Sequence, residues 1–329
     1  MIRKLLFYIL YYSGISIILK RQLHSNKEVS VLLFHRVADY SDHLWPAMRV
    51  DIFEKLIMTL NKNVEIISFS ELLKLKELPS KPTIIISFDD GYTDFYDNVM
   101  PILIQHKIKA NHNICPGLME TSTPPWTQVL SLYLSYRTTE NVEFNKLFLN
   151  EAPNKISEQR FIQICKQLMS FDDEKREKLI QPLIDHIPYE KIYHLMEWHQ
   201  LKYCAENKIE FGSHGNYHRN LLMVNDENIL DEEINGSFKK IESNIGIKPL
   251  VFAFANAMGN EVSKNYLKQS MYRIILISMD NFYRWQPIGD HVKIEIPRIN
   301  ISRNDWREEY LRALGFHIRI KKLLGIFKS

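Results

Sequence analysis

Short apolar runs alternate with stretches of helical periodicity along most of the chain. Residues 29–34 (VSVLLF), 83–87 (TIIIS), 209–212 (IEFG), 250–254 (LVFAF) and 273–278 (RIILIS) predict buried strands. Residues 53–60 and 69–75 predict helices between them. Strands that alternate with helices predict a parallel sheet or a barrel. The rhythm breaks between about residues 118 and 207, where no strand is predicted. There residues 126–136, 158–171, 173–186 and 190–206 read as helices, with Ser157-Glu158 and Asp172-Asp173 as start signals. We expect a helical insertion of some 90 residues inside one α/β domain. It would serve as a substrate lid, as a docking surface for a lipid or partner, or only as packing on the barrel.

The two ends differ from this body. Residues 5–19 (LLFYILYYSGISIIL) carry no charge. As a helix they would reach about 22 Å, short of the ~30 Å hydrocarbon core of a bilayer. Lys20-Arg21 follows them instead of a small-x-small cleavage site, so a removed leader is not expected. An interfacial helix, a short signal-anchor and a helix packed on the domain all fit, and the first is preferred. At the other end Phe316, Ile320, Leu323, Leu324 and Phe327 fall at helical spacing, with Arg319, Lys321 and Lys322 between them.

Charge sharpens the contrast. Of 42 basic residues, eight lie in residues 1–21 and 315–329, which hold no acidic one, leaving 34 against 39 acidic residues in the body. A mildly acidic body argues against a nucleic-acid partner. Basic, apolar ends suit a membrane surface. We divide the chain into an N-terminal helix (1–27), a barrel domain (28–305, insertion at about 118–207) and a C-terminal amphipathic helix (306–329). Cys115, Cys165 and Cys204 stand far apart and form no CxxC pair. They exclude a disulfide framework and favour the reducing, cytoplasmic face of the membrane.

Two clusters carry the chemistry. Ser87-Phe88-Asp89-Asp90-Gly91-Tyr92-Thr93-Asp94 follows a predicted strand. Adjacent buried carboxylates are costly unless paired or metal-bound, and helix capping would explain only one of them. Gly212-Ser213-His214-Gly215-Asn216-Tyr217-His218 also follows a strand, and places two histidines four apart. That is ligand spacing for a divalent metal. Two histidines and one carboxylate leave positions open for water and substrate, as a catalytic site requires.

SFDDG and GSHGNYHRNL resemble the first two motifs of the polysaccharide deacetylases, relatives of the nodulation-type chitooligosaccharide deacetylases. The resemblance runs from about residue 29 to residue 300 and implies an irregular (β/α) barrel with fewer than eight strands. It implies Asp89 as general base, and Asp90, His214 and His218 as ligands of one divalent ion (zinc, with iron, cobalt and nickel as alternatives). Val31-Leu32-Leu33-Phe34-His35-Arg36-Val37 resembles the YHxV motif of the poly-N-acetylglucosamine deacetylase branch, which implies His35 as general acid. The implied reaction is hydrolysis of an N-acetyl group on a bacterial surface glycan, with a backbone amide such as that of Tyr92 holding the oxyanion.

The later motifs depart from the family pattern. Phe252-Ala253-Phe254-Ala255-Asn256 stands where FAYP is usual, and the arginine that orients the base in chitin-type members is absent. Asp89 is thus left without a visible partner. Ile296-Pro297-Arg298-Ile299 resembles the branch's LPRI stretch, and Arg298 is either a positive charge near the site or a structural ion pair. His106, His112, His194 and His199 have no motif around them, and the context of His291 does not fit a catalytic acid. Two other readings are a deacetylase-like barrel that only binds a glycan, and a phosphatase-type acidic loop. The second leaves His214 and His218 unexplained.

Overall fold

In the computed structural model, which describes residues 2–40, 42–149, 156–256 and 258–325, ten strands form one sheet. They are β1 (Glu28–Phe34), β2 (Glu65–Ile66), β3 (Thr83–Phe88), β4 (Ala110–Ile114), β5 (Ile209–Ser213), β6 (Val251–Ala253), β7 (Ile274–Ile277), β8 (Tyr283–Arg284), β9 (Ile294–Pro297) and β10 (Ile299–Asn300). The path β10-β1-β3-β4-β5-β6-β7-β9 is parallel at every step. Only Arg298 separates β9 from β10, yet the two pair to opposite ends of that path. Ile274 meets Ile294 on one side, and Leu32 meets Ile299 on the other. Residues 294–300 therefore act as a single closing stave. The result is an irregular barrel of seven staves, in keeping with the expected barrel of fewer than eight, with β2 and β8 as short additions at its edge.

Buried parallel strands need apolar cover on both faces, and alternation supplies it. Val29, Val31 and Ile85 point into the barrel against Ala253, Leu276 and Ile296. Leu32, Phe34, Ile84, Ile86 and Phe88 point outward, and meet Phe53, Leu56, Ile57 and Leu60 of the helix Val50–Asn63.

β4 (ANHNI) carries three polar residues in a row and had no strand signal. Asn111 and Asn113 bond Ser87, while His112 packs against Phe95 and Phe211. The strand is held by partners that only the fold brings together.

Between β4 and β5 the chain is helical, and its helices share an apolar cluster of their own, including Leu130, Tyr133, Phe144, Phe161 and Leu183. Pro182 turns the run after Ile180 into a 3₁₀ segment, Gln181–His186. After one 3₁₀ turn, Tyr189–Lys191, α-helix returns at Trp198 and not at residue 190. Leu195 instead bridges Tyr92 antiparallel, through Thr93 N–H to the His194 carbonyl and Met196 N–H to the Gly91 carbonyl (2.9 and 2.8 Å).

The N-terminal helices Ile2–Tyr12 and Ile15–Ser25 bend by 68° at Gly14, whose φ of 81° suits glycine. No single helix among the described residues is long and apolar enough to cross a membrane; the bent pair passes by length and composition only. Leu19 and Leu23 of the second helix are buried. The first helix buries no residue, but lies on the helix Trp306–Ala313. Tyr11 packs edge-on to Trp306 (5.0 Å), and Arg3 bonds Glu308. Phe7 meets Phe316 of the last helix, Phe316–Leu323, so the two ends touch. Phe327 and Lys328 lie outside the described residues.

That last helix is clamped by Asp280, which accepts from Arg312 (2.8 Å) and faces His317 (3.4 Å). Burial opposes its ionisation, but His317 and Arg312 outweigh this and hold its carboxyl at about 2. A depressed carboxyl stabilises the fold above its unfolded-state pKa and loses that contribution as pH falls. Asp280→Asn is therefore expected to lower Tm at pH 7 and to flatten the loss of Tm between about pH 4 and pH 2, read by thermal denaturation across pH.

Candidate active site

The C-terminal ends of the staves converge on one buried cluster. β1 delivers His35, β3 delivers Asp89 and Asp90, β5 delivers His214 and His218, and the break between β9 and β10 delivers Arg298. Asp90 (φ 78°) and Gly91 (φ 90°) are both left-handed, so the chain turns sharply as it leaves β3. His112 holds this turn: its Nε2 accepts the Gly91 N–H at 3.1 Å. Burial pushes the His112 imidazole down to about 4, so it is neutral and free to accept.

Asp89 is buried, with one oxygen fully engaged. Its Oδ1 accepts from Arg298 Nη1 (2.7 Å) and from Asn113 Nδ2 (2.8 Å). Its Oδ2 stays clear of both and lies 3.7 Å from His214 Nε2. Burial opposes the charge, but Arg298, His214 and His35 overcome it and hold the carboxyl well below the usual range. The partner that the sequence left missing is thus Arg298. It is fully buried, 209 positions along the chain from Asp89. The arginine absent from the third motif is replaced by one on the closing stave.

Asp90 behaves differently. Its Oδ1 is buried and has no hydrogen-bond partner among the described residues. It lies 3.4 Å from His214 Nε2 and 3.5 Å from His218 Nε2, too long for good hydrogen bonds. Burial opposes ionisation here too, but His218, His35 and His214 outweigh it and hold the carboxyl at about 2. His214 Nδ1 donates to the Ala253 carbonyl at 2.9 Å, which turns the Nε2 lone pair toward Asp90. Burial lowers His214 to about 4, so it stays neutral. One atom each of Asp90, His214 and His218 falls within 4.8 Å of the others. An orphaned buried carboxylate faced by two imidazoles is a donor set that fits one divalent cation. From the third motif this cluster uses the main-chain carbonyl of Ala253.

Glu233 secures the histidine loop, and the sequence did not signal it. Its carboxylate accepts from Asn216 and Tyr217 N–H, both at 3.0 Å. A Cβ on Gly215 would lie 2.4 Å from Glu233 Oε2, so this position requires glycine. Burial pushes the Glu233 carboxyl up to about 7. A buried Arg36–Asp94 pair (2.8 Å) ties the end of β1 to the Asp-Asp-Gly turn, and Tyr193 stacks on its guanidinium.

His35 is half-buried beside this cluster, and its charge acts on both Asp89 and Asp90. The Tyr92–Leu195 bridge bonds through Thr93 and Met196, and leaves the Tyr92 N–H unused by it. His106 lies by Glu54, His199 by Glu197, and His291 on an exposed turn; none joins the site.

The barrel places the chain among the irregular α/β barrels, with a carboxylate–histidine cluster at one end, and comparison with known proteins agrees on the fold. Residues 165–275 match the family model described as polysaccharide deacetylase, a stretch that holds His214, His218 and Ala253. The match covers about a third of the chain and agrees with the resemblance that the motifs carry. No curated protein matches the chain in sequence. Among solved structures, the Streptococcus pyogenes deacetylase PplD in complex with acetate is 15% identical, with a TM-score of 0.59 over 87% of this chain and 98% of that one. IcaB from Ammonifex degensii is 15% identical, with a TM-score of 0.57 over 88% and 98% of the two chains. A de-N-acetylase from Aggregatibacter actinomycetemcomitans is 16% identical, with a TM-score of 0.53 over 84% and 95%. At these identities the likeness is one of fold.

Proposed function

We propose that this protein is a metal-dependent hydrolase that removes N-acetyl groups from an amino-sugar-containing, membrane-linked bacterial surface polysaccharide or its precursor. The observation that carries this reading is the division of labour between neighbouring carboxylates. Asp89 is saturated on one oxygen by Arg298 and Asn113, while Asp90 is unpartnered and faces two imidazoles. A divalent ion on Asp90, His214 and His218 supplies Lewis acidity toward an amide carbonyl and a water; zinc suits the donors best, and iron, cobalt and nickel also fit.

The chain's own residues do the rest. Asp89 Oδ2 receives the proton of the attacking water, while Arg298 and Asn113 fix its direction. That proton must then be passed on before the next turnover. His35, half-buried at the rim, protonates the leaving amine, because an amide nitrogen does not depart as an anion. The Tyr92 N–H, unused by the Leu195 bridge, is the donor we assign to the oxyanion, a contribution of about 3–4 kcal/mol for a well-aimed donor.

Membrane linkage is supported by the ends. Ile2, Leu5, Leu6 and Ile9 are exposed beside Arg3 and Lys4, and Leu323 and Leu324 are exposed beside Lys322. The Phe7–Phe316 contact joins the two sets. Three free cysteines favour the cytoplasmic face. The protein is expected to sediment with anionic phospholipid vesicles at low salt, and Leu5→Glu/Ile9→Glu to abolish this. A double variant that sediments like the wild type would remove the N-terminal helix from the interface.

The metal test is direct. Purified protein should hold near-stoichiometric divalent metal and release acetate from N-acetylated amino-sugar oligomers. His214→Ala/His218→Ala should hold none and release none. No metal in the wild type after reconstitution, and no acetate, would leave a barrel that binds a glycan without cutting it.

A further inference from the structure

Beside His35 lies a cavity of about 340 Å³ between the barrel rim and the helical segment. That is the small end of the range for small-molecule sites (about 300–1,000 Å³), room for one sugar ring and not for a chain. Its wall includes His35, Trp45 and Asn300 from the barrel side, Arg303 beyond β10, and Glu158 and Phe161 from the helix Glu158–Met169. Trp45 stands edge-on to His35 (6.1 Å) and to Phe161 (6.3 Å), so one continuous aromatic wall runs from the proposed acid to the helical segment.

This wall is built, not incidental. Asp42, 1% exposed, accepts the N–H groups of Leu44 (2.9 Å) and Trp45 (2.6 Å) on Oδ1. Its Oδ2 accepts from Ser131 (3.3 Å) and Tyr193 (3.4 Å) of the helical segment. The main chain of Trp45 is thereby bolted to the segment that supplies the opposite wall.

The lining has two characters. Half-buried Trp45 offers apolar ring surface, which suits the C–H face of a pyranose, and Phe161, 2% exposed, backs it. Glu158, Asn300 and Arg303 offer donors and acceptors for hydroxyl groups, with charges of both signs, which suits a neutral polyol better than an anion. We propose that this cavity is a saccharide subsite that holds the sugar next to the one being deacetylated, with Trp45 as its stacking platform. The inference rests on the deacetylase reading above. It makes the enzyme one that acts within a chain of sugars, and gives the helical segment a role in choosing the substrate.

The test uses the metal-loaded full-length protein with N-acetylglucosamine and its tetramers, β-1,4- and β-1,6-linked. Binding is measured by calorimetry in the Asp89→Asn background and acetate release in the active protein. One of the tetramers should bind at least about tenfold tighter than the monomer, and Trp45→Ala should remove that gain while altering monomer binding by less than about twofold. Trp45→Phe should restore most of it. If Trp45→Ala does not fold, the exposed-residue variants Arg303→Ala and Glu158→Gln decide, each with about a threefold loss for the tetramer alone. A folded Trp45→Ala that binds tetramer like the wild type, or loses monomer and tetramer equally, overturns the subsite. So does a wild type with no gain from chain length. Acetate release without a chain-length gain sinks the subsite and leaves the hydrolase, whereas a Trp45-dependent gain without acetate release does the reverse.

Discussion

Asp89→Asn is expected to keep bound metal at the wild-type level and to cut acetate release by about 10²–10⁴-fold, the range for losing a positioned proton acceptor. The amide oxygen can replace Oδ1 and still accept from Arg298 (2.7 Å) and Asn113 (2.8 Å) in the native structure. The amide nitrogen then stands where Oδ2 stood, as a donor that cannot take a proton from water. The proposed metal donors Asp90, His214 and His218 are untouched. Metal content measured beside acetate release therefore separates a lost base from a lost site. Turnover near the wild-type rate would remove Asp89 from the mechanism.

The second large effect is on stability. Arg298→Met removes the positive partner of a carboxylate that is 1% exposed. Breaking a buried pair from one side leaves an uncompensated charge, at a cost of about 3–5 kcal/mol. Urea denaturation at pH 7 should show that loss. The pH dependence should change sign around it. In the native protein the Asp89 carboxyl is held below its usual value, so the pair stabilises the fold above about pH 4 and the contribution fades as pH falls. Without Arg298, burial, the largest influence on this carboxyl, is opposed only by His214, His35 and Asn113, and the carboxyl rises. The variant should then gain stability as pH falls toward 4, and the acid limb of its kcat/KM profile should move to higher pH. A variant as stable as the wild type, with an unmoved acid limb, would show that Asn113 alone governs Asp89.

These effects differ in how far they could be read from the chain. β1, β3, β5, β6 and β7 are mostly apolar because both faces of a parallel barrel strand are covered, and that pattern is local. The Asp89-Asp90-Gly91 turn and the spacing of His214 and His218 are local as well, since a few residues set each one's geometry. β4 was not legible, because Asn111, His112 and Asn113 are polar residues satisfied by partners on the neighbouring strands and the turn after β3, among them Ser87, Asp89, Gly91 and Glu210. Glu233 gave no sign of its role, because its partners are main-chain amides 16 and 17 positions away.

By itself, then, the sequence determined the alternation of strand and helix, the barrel class, the two chemistry-bearing turns and the basic, apolar character of the ends. Each of these depends on residues close together in the chain. Tertiary structure alone decided that residues 294–300 close the ring, that Arg298 and not a third-motif arginine holds Asp89, that the two ends meet through Phe7 and Phe316, and that Trp45 and Phe161 face each other beside His35. Barrel closure is the physical reason. It brings the first and last staves into hydrogen-bonding contact, and so pairs charges and rings whose separation along the chain leaves no periodic trace.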